Sequence, residues 1–206
     1  CLVLFLKIIL LISAYPRITK RHRMILRDLN INKNWTLFLD RDGVINKRLV
    51  DEYVKNWVEF EFIEGVFGAL KYFSGVFGRV LVVTNQQGIG KGLYRVEDLE
   101  LIHSNMLYEI KYHGGRIDKV YFSPYLAAEQ HPTRKPGIGM ALQAQKDFPE
   151  IDFSKSLMIG DSMSDMQFGK TAGMKTVFIN ETPKQEALID FNFVSLAQVA
   201  EHLQNS

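Results

Sequence analysis

From Trp35 onward, short apolar runs alternate with longer segments of helical period, and this alternation limits the fold more than any other feature of the chain. Residues 36–40, 79–84, 117–122, 156–160 and 175–179 read as strands. Each run is nearly continuous in apolar or β-branched residues, as expected of parallel strands buried on both faces. The spacing between them predicts helices at about 65–74, 95–113, 136–148 and 163–172. In the second, Val96, Leu99, Met106 and Ile110 mark one apolar stripe. Pro136 suits the first turn of the third, and Gly173 suits the end of the fourth. Repeated strand–helix alternation predicts an α/β protein on a doubly wound, Rossmann-like parallel sheet. Ligands of such sheets gather at the carboxyl ends of the strands, so the chemistry is sought there.

A chain of 206 residues suits one domain. Its net charge of +2 hides an uneven distribution. Lys7, Arg17, Lys20, Arg21 and Arg23 give residues 1–23 a charge of +5, which leaves residues 24–206 at −3. A mildly acidic body argues against a nucleic-acid partner. Residues 1–14 are almost wholly apolar but shorter than the roughly 20 residues of a membrane span. The basic cluster follows the apolar run, whereas a secretory signal carries its charge in front. Residues 1–23 are therefore expected to be an extension outside the folded domain, arising from upstream translation or an incompletely defined gene, with a short membrane-associating anchor as the alternative. The domain is expected to span residues 24–206, beginning at Met24. The single cysteine, Cys1, excludes an intrachain disulfide and a cysteine zinc cluster. It is compatible with a reducing cytoplasm, the expected location, and no membrane partner is expected.

Four motifs lie at the expected strand ends or helix starts. The first strand runs into Asp40-Arg41-Asp42-Gly43. Two carboxylates one residue apart can face one small volume, where a cation or a proton must relieve their repulsion. The plain alternative is a surface turn, which such residues commonly form. The second strand ends in Thr84-Asn85, a hydroxyl and backbone N–H groups suited to phosphate oxygens, though also an ordinary turn pair. Gly88, Gly90 and Gly92 make neither a dinucleotide fingerprint nor a nucleotide P-loop. Arg134-Lys135-Pro136 precedes the third helix, where a lysine and the helix amino end can neutralise phosphate, or where a solvated basic pair can stand. The fourth strand ends in Gly160-Asp161, followed by Asp165, acids able to complete an oxygen-rich magnesium site.

These motifs, in this order, resemble the haloacid dehalogenase superfamily over roughly residues 35–180. The stretches 38–46, 83–89 and 134–136 are similar to one subgroup, which contains the histidinol phosphatases and the D-glycero-D-manno-heptose-1,7-bisphosphate 7-phosphatases. The resemblance implies a magnesium-dependent phosphomonoesterase. Asp40 would be the nucleophile and Asp42 the general acid and base. Thr84, Asn85 and Lys135 would hold the phosphoryl group, and Arg134 would reach the rest of the substrate. Asp40, the backbone carbonyl of Asp42, and Asp161 would hold the metal, with Asp165 one step removed. Only 41 residues separate Asp42 from Thr84, so the cap domain is expected to be minimal or absent. Relatives bind structural zinc through cysteines and a histidine before Arg-Lys-Pro. Here Ser123, Tyr125 and residues 127–133 occupy that region without a cysteine. His131 alone cannot close a four-ligand site and is expected to be a solvated loop residue, so no zinc is expected.

Among substrates, heptose 1,7-bisphosphate is preferred over histidinol phosphate, because Arg41, Lys47, Arg48 and Arg134 are available for a second phosphate. A non-catalytic binding module on the same fold is the reading from another class. A small phosphorylated sugar and a monomeric enzyme are the expected partner and state.

Overall fold

In a computed structural model, which describes residues 25–205, the apolar runs form one sheet. Its strands are β1 (Thr36–Leu39), β2 (Arg79–Asn85), β3 (Lys119–Ser123), β4 (Ser156–Gly160), β5 (Lys175–Ile179) and β6 (Phe191–Phe193). They lie in the order β3-β2-β1-β4-β5-β6, and every pairing is parallel. The helices are α1 (Val66–Val76), α2 (Val96–Tyr112), α3 (Gly139–Asp147), α4 (Met163–Ala172) and α5 (Leu196–Gln204).

Because successive strand residues point to opposite faces, the apolar runs feed two cores. Leu37, Leu39, Val80, Val82, Leu157 and Ile159 pack with side chains of α1, α2 and α5. Phe38, Leu81, Val83 and Met158 face the other way, against Met140, Ala141 and Ala144 of α3 and Phe168 of α4. Connections to either side of β1 reverse the strand order there, which opens a crevice at the carboxyl ends of β1 and β4. The doubly wound expectation therefore holds, and no large domain is inserted between Asp42 and Thr84. That interval holds a short 3-10 turn, Trp57–Glu59, the helix α1 and most of β2.

Three local expectations are corrected. Pro136 lies outside α3, which begins at Gly139, because Gly137 N–H and Gly139 N–H close turns on Arg134 O and Pro132 O. Val96 is partly exposed at the start of α2, and the buried stripe runs instead through Leu99, Ile102, His103, Met106 and Ile110. The strand β6 and helix α5 complete the fold beyond residue 179, where no element was expected. Gly173 does end α4, with φ +91°. Among the described residues, no helix is long and apolar enough to cross a membrane. The extension expected at residues 1–23 lies outside the described residues.

Candidate active site

The end of β1 carries Asp40 into the crevice, where its N–H continues the ladder to Ile159 O of β4 at 2.9 Å. The chain then turns sharply. Gly43 adopts φ +88°, and a Cβ there would lie 2.0 Å from Asp161 Oδ2, so the turn requires glycine for both conformation and space. This close approach brings the carboxylates following β1 and β4 together. Oxygens of Asp40, Asp161 and Asp165 all lie within 4.8 Å of one another.

Lys135 is set against this acidic group. Its Nζ lies 2.9 Å from Asp40 Oδ1, 2.5 Å from Asp165 Oδ1 and 2.8 Å from Val83 O. Burial works against the ammonium charge, but Asp165 and Asp40 outweigh it and hold Lys135 above its ordinary pKa. Asn85 fixes this lysine by a reciprocal pair: Oδ1 accepts from Lys135 N–H at 2.9 Å, and Nδ2 donates to Lys135 O at 3.0 Å. Asn85, expected beside phosphate oxygens, lines the cleft described below, and both its side-chain polar atoms are engaged by the Lys135 backbone. Asp165 was expected one step from the metal. Its Oδ2 accepts from Ser162 N–H and Oγ, which caps α4 and aims Oδ1 at Lys135.

Burial pushes Asp40 up to about 6, helped by Asp165 and opposed by Lys135. It likewise pushes Asp161 up to about 7, helped by Asp40 and opposed by Arg48. Asp42 differs. Burial raises it too, but the Arg41 charge and hydrogen bonds from Arg41, Asn46 and Gln86 hold it below its ordinary value. Its Oδ1 accepts from Arg41 Nη2 at 2.8 Å and Asn46 Nδ2 at 2.9 Å, and its Oδ2 from Gln86 Nε2 at 2.9 Å.

Several of these partners were not read from the sequence as site residues. Gln86 links Asp42 to Thr84 Oγ1 at 2.8 Å and accepts from Tyr94 OH at 2.7 Å. Its only sequence signal was its place directly after Thr84-Asn85. Arg41, expected near a second phosphate, borders the cleft described below but is 1% exposed, its guanidinium held by Asp42 and by His103 Nε2 at 3.2 Å. Burial and Arg41 press His103 down to about 3, which keeps it neutral and able to accept from the guanidinium. A lone histidine on α2 carried no signal of this. Lys47 pairs with Glu61 at the surface.

A cleft of about 470 Å³ opens beside Asp42 and Asn85, and Arg48, Lys91, Arg134 and Tyr53 line it. Arg134 Nη1 donates to Tyr125 O at 3.1 Å on its rim. Nearby, His131 is not a freely solvated loop residue. Its ring stacks on Tyr125 with centroids 3.5 Å apart, and its Nδ1 lies 2.7 Å from Thr133 Oγ1, which in turn meets Ser123 Oγ at 3.2 Å.

A family model described as HAD-hydrolase-like matches residues 132–205. A D-glycero-alpha-D-manno-heptose-1,7-bisphosphate 7-phosphatase of Campylobacter jejuni is 37% identical over 167 residues, covering 81% of this chain and 94% of that protein. The chain belongs to the haloacid dehalogenase superfamily. Another haloacid dehalogenase relative, named for the beta anomer and from Helicobacter pylori, is 38% identical over 147 residues, covering 70% of this chain and 83% of its own. The structure is similar to that of the D,D-heptose 1,7-bisphosphate phosphatase of B. bronchiseptica, solved with magnesium and phosphate. The TM-score is 0.73 at 26% identity, over 83% of this chain and 98% of that one. The four motifs of the haloacid dehalogenase resemblance are thus the residues that meet in the crevice. Like these relatives, the chain is a phosphatase.

Proposed function

We propose that this phosphatase removes the 7-phosphate from D-glycero-D-manno-heptose 1,7-bisphosphate, acting as a magnesium-dependent monomer in the cytoplasm. The observation that carries the reading is the buried Asp40–Lys135 pair, next in sequence to Arg41 and Arg134 of a cleft that Arg48 and Lys91 also line. The heptose phosphatase names of the relatives supply the substrate.

The donor set fits magnesium. It is made of oxygens alone, it carries excess negative charge, and Gly43 leaves room for the Asp161 carboxylate to close on Asp40. Asp40, the Asp42 carbonyl and Asp161 would hold the ion. When bound, it would screen the negative charge that keeps an anionic ester from an anionic nucleophile.

Asp40 Oδ attacks phosphorus, the P–O bond to the sugar breaks, and an aspartyl-phosphate forms. Asp42 gives its proton to the departing alkoxide. It then takes a proton from the water that attacks the aspartyl-phosphate, which returns free Asp40 and inorganic phosphate. The donors around Asp42 favour its ionised form, the one needed for the second half. An incoming phosphoryl group raises its proton affinity by like-charge repulsion, as the first half needs. Lys135 and Thr84 stabilise the phosphoryl oxygens as charge shifts. Asn85 acts by positioning Lys135, and Arg134 meets the remote phosphate.

Phosphate release measured from the heptose bisphosphate, histidinol phosphate and an aryl phosphate tests the assignment. The highest kcat/KM is expected on the bisphosphate. A tenfold preference for histidinol phosphate would remove the heptose reading and leave the phosphatase chemistry standing.

A further inference from the structure

Arg48 Nη2 lies 2.7 Å from Asp161 Oδ1, 3.3 Å from the Asp42 carbonyl oxygen and 3.8 Å from Asp40 Oδ2. These are the three groups assigned above to magnesium, and one guanidinium corner reaches all of them. We infer that Arg48 is a tethered counter-ion of the metal site, which gathers the three donors when no metal is bound and must leave them for magnesium to enter. The inference rests on the proposed metal site and goes beyond it by assigning that site an internal competitor.

The two cations at this site are held very differently. Lys135 is 2% exposed and is anchored to Val83 O as well as to two carboxylates. Arg48 is 48% exposed, sits on an irregular stretch outside any helix or strand, and lines the open cleft. Lys135 is therefore built into the core of the site, whereas Arg48 can withdraw into water at little cost.

Charge explains why a second cation is drawn in. Asp40, Asp161 and Asp165 face one fixed ammonium, which leaves an excess of negative charge pointing at the cleft. Magnesium binds oxygen at about 2.0–2.1 Å and demands octahedral placement. Arg48 Nη2 stands among the same three oxygens that would surround the ion, so the two cations compete for one place. A competitor seated about nine-tenths of the time lowers apparent metal affinity roughly tenfold, because only the open fraction binds.

The test is a calorimetric titration of the chelator-treated protein with magnesium chloride, for wild type and for Arg48→Gln and Arg48→Lys, together with their thermal melts without metal. Arg48→Gln is expected to bind magnesium roughly tenfold more tightly and to melt at a lower temperature when metal-free. Arg48→Lys should fall between it and wild type. Unchanged or weaker binding by Arg48→Gln overturns the inference and leaves the magnesium site intact, whereas no magnesium binding by wild type overturns both. A second measurement needs no variant: phenylglyoxal labelling of the wild-type peptide carrying Arg48 should accelerate when magnesium is added. An unchanged or slower rate also overturns the inference.

Discussion

Lys135 Nζ stands 2.9 Å from Asp40 Oδ1, and both side chains are almost wholly withdrawn from water. A buried ion pair at this position favours the ionised carboxylate inside the crevice. With Asp40, Asp165 and Val83 O already around the ammonium, its charge rather than a free N–H is what a phosphoryl group meets. The same pair supports the first two predictions.

Replacing Asp40 with Asn should abolish turnover while the fold is retained. The amide is nearly isosteric with the carboxylate and can still accept from Arg41 N–H, but it cannot attack phosphorus. Phosphate release and far-ultraviolet circular dichroism on the same preparation check both halves. Activity close to wild type would remove Asp40 as nucleophile.

Lys135→Met should cost both stability and rate. It strands Asp40 and Asp165 without their shared cation, a loss of about 3 kcal/mol or more at neutral pH. Part of this should return near pH 5, where the stranded acids take up protons. The lost charge-assisted contact to the phosphoryl group should slow turnover roughly tenfold to a hundredfold. Denaturant melts at two pH values and steady-state kinetics separate the two effects.

A pH dependence follows from Asp40 near 6 and Asp161 near 7, both lifted above the ordinary value of 3.8. Between those limits the native protein holds more protons than the unfolded chain, so the stability of metal-free protein should fall as pH rises from about 4 to 7. Magnesium needs both groups ionised, so its affinity should rise over the upper part of that window and level off above it. Calorimetry in buffers of different ionisation heat should detect proton release at pH 6 and almost none at pH 8.

Metal analysis should find no stoichiometric zinc. Loss of the His131 ring stack and hydrogen bond in His131→Ala should cost about 1 kcal/mol, a small shift in melting temperature. Removal of a ligand to structural zinc would instead unfold the loop. Elemental mass spectrometry and a thermal melt decide between the two.

Arg134→Ala should penalise the heptose bisphosphate more than an aryl phosphate. Only the bisphosphate has a remote phosphate to lose, and one charge-assisted contact there contributes roughly 1.5–3 kcal/mol, or about tenfold to a hundredfold in kcat/KM. An equal loss on both substrates would place Arg134 at the reacting phosphate or in the support of its loop.

Features set by neighbouring residues were legible in the sequence. Buried parallel strands produce continuous apolar runs, so β4 and β5 begin and end where the runs do, and α4 lies between its Ser162 cap and Gly173. The motif carboxylates and Lys135 could be named because each sits at a strand end or just before a helix. The strand β6 escaped because three residues are too few for a pattern to stand out. In α5, by contrast, Leu196, Val199, Ala200 and Leu203 recur at helical spacing and bury one face, a signal the sequence does carry. Tertiary structure alone decided which polar groups pair across the crevice. Arg48 meets Asp161 across 113 positions and Gln86 meets Asp42 across 44. Arg41, which the sequence offers as one more free cation, is buried against Asp42 and His103. Apolar periodicity records burial on each strand and helix, but nothing in it records which distant charge arrives beside which; that follows from the order of the strands and from the space left at Gly43.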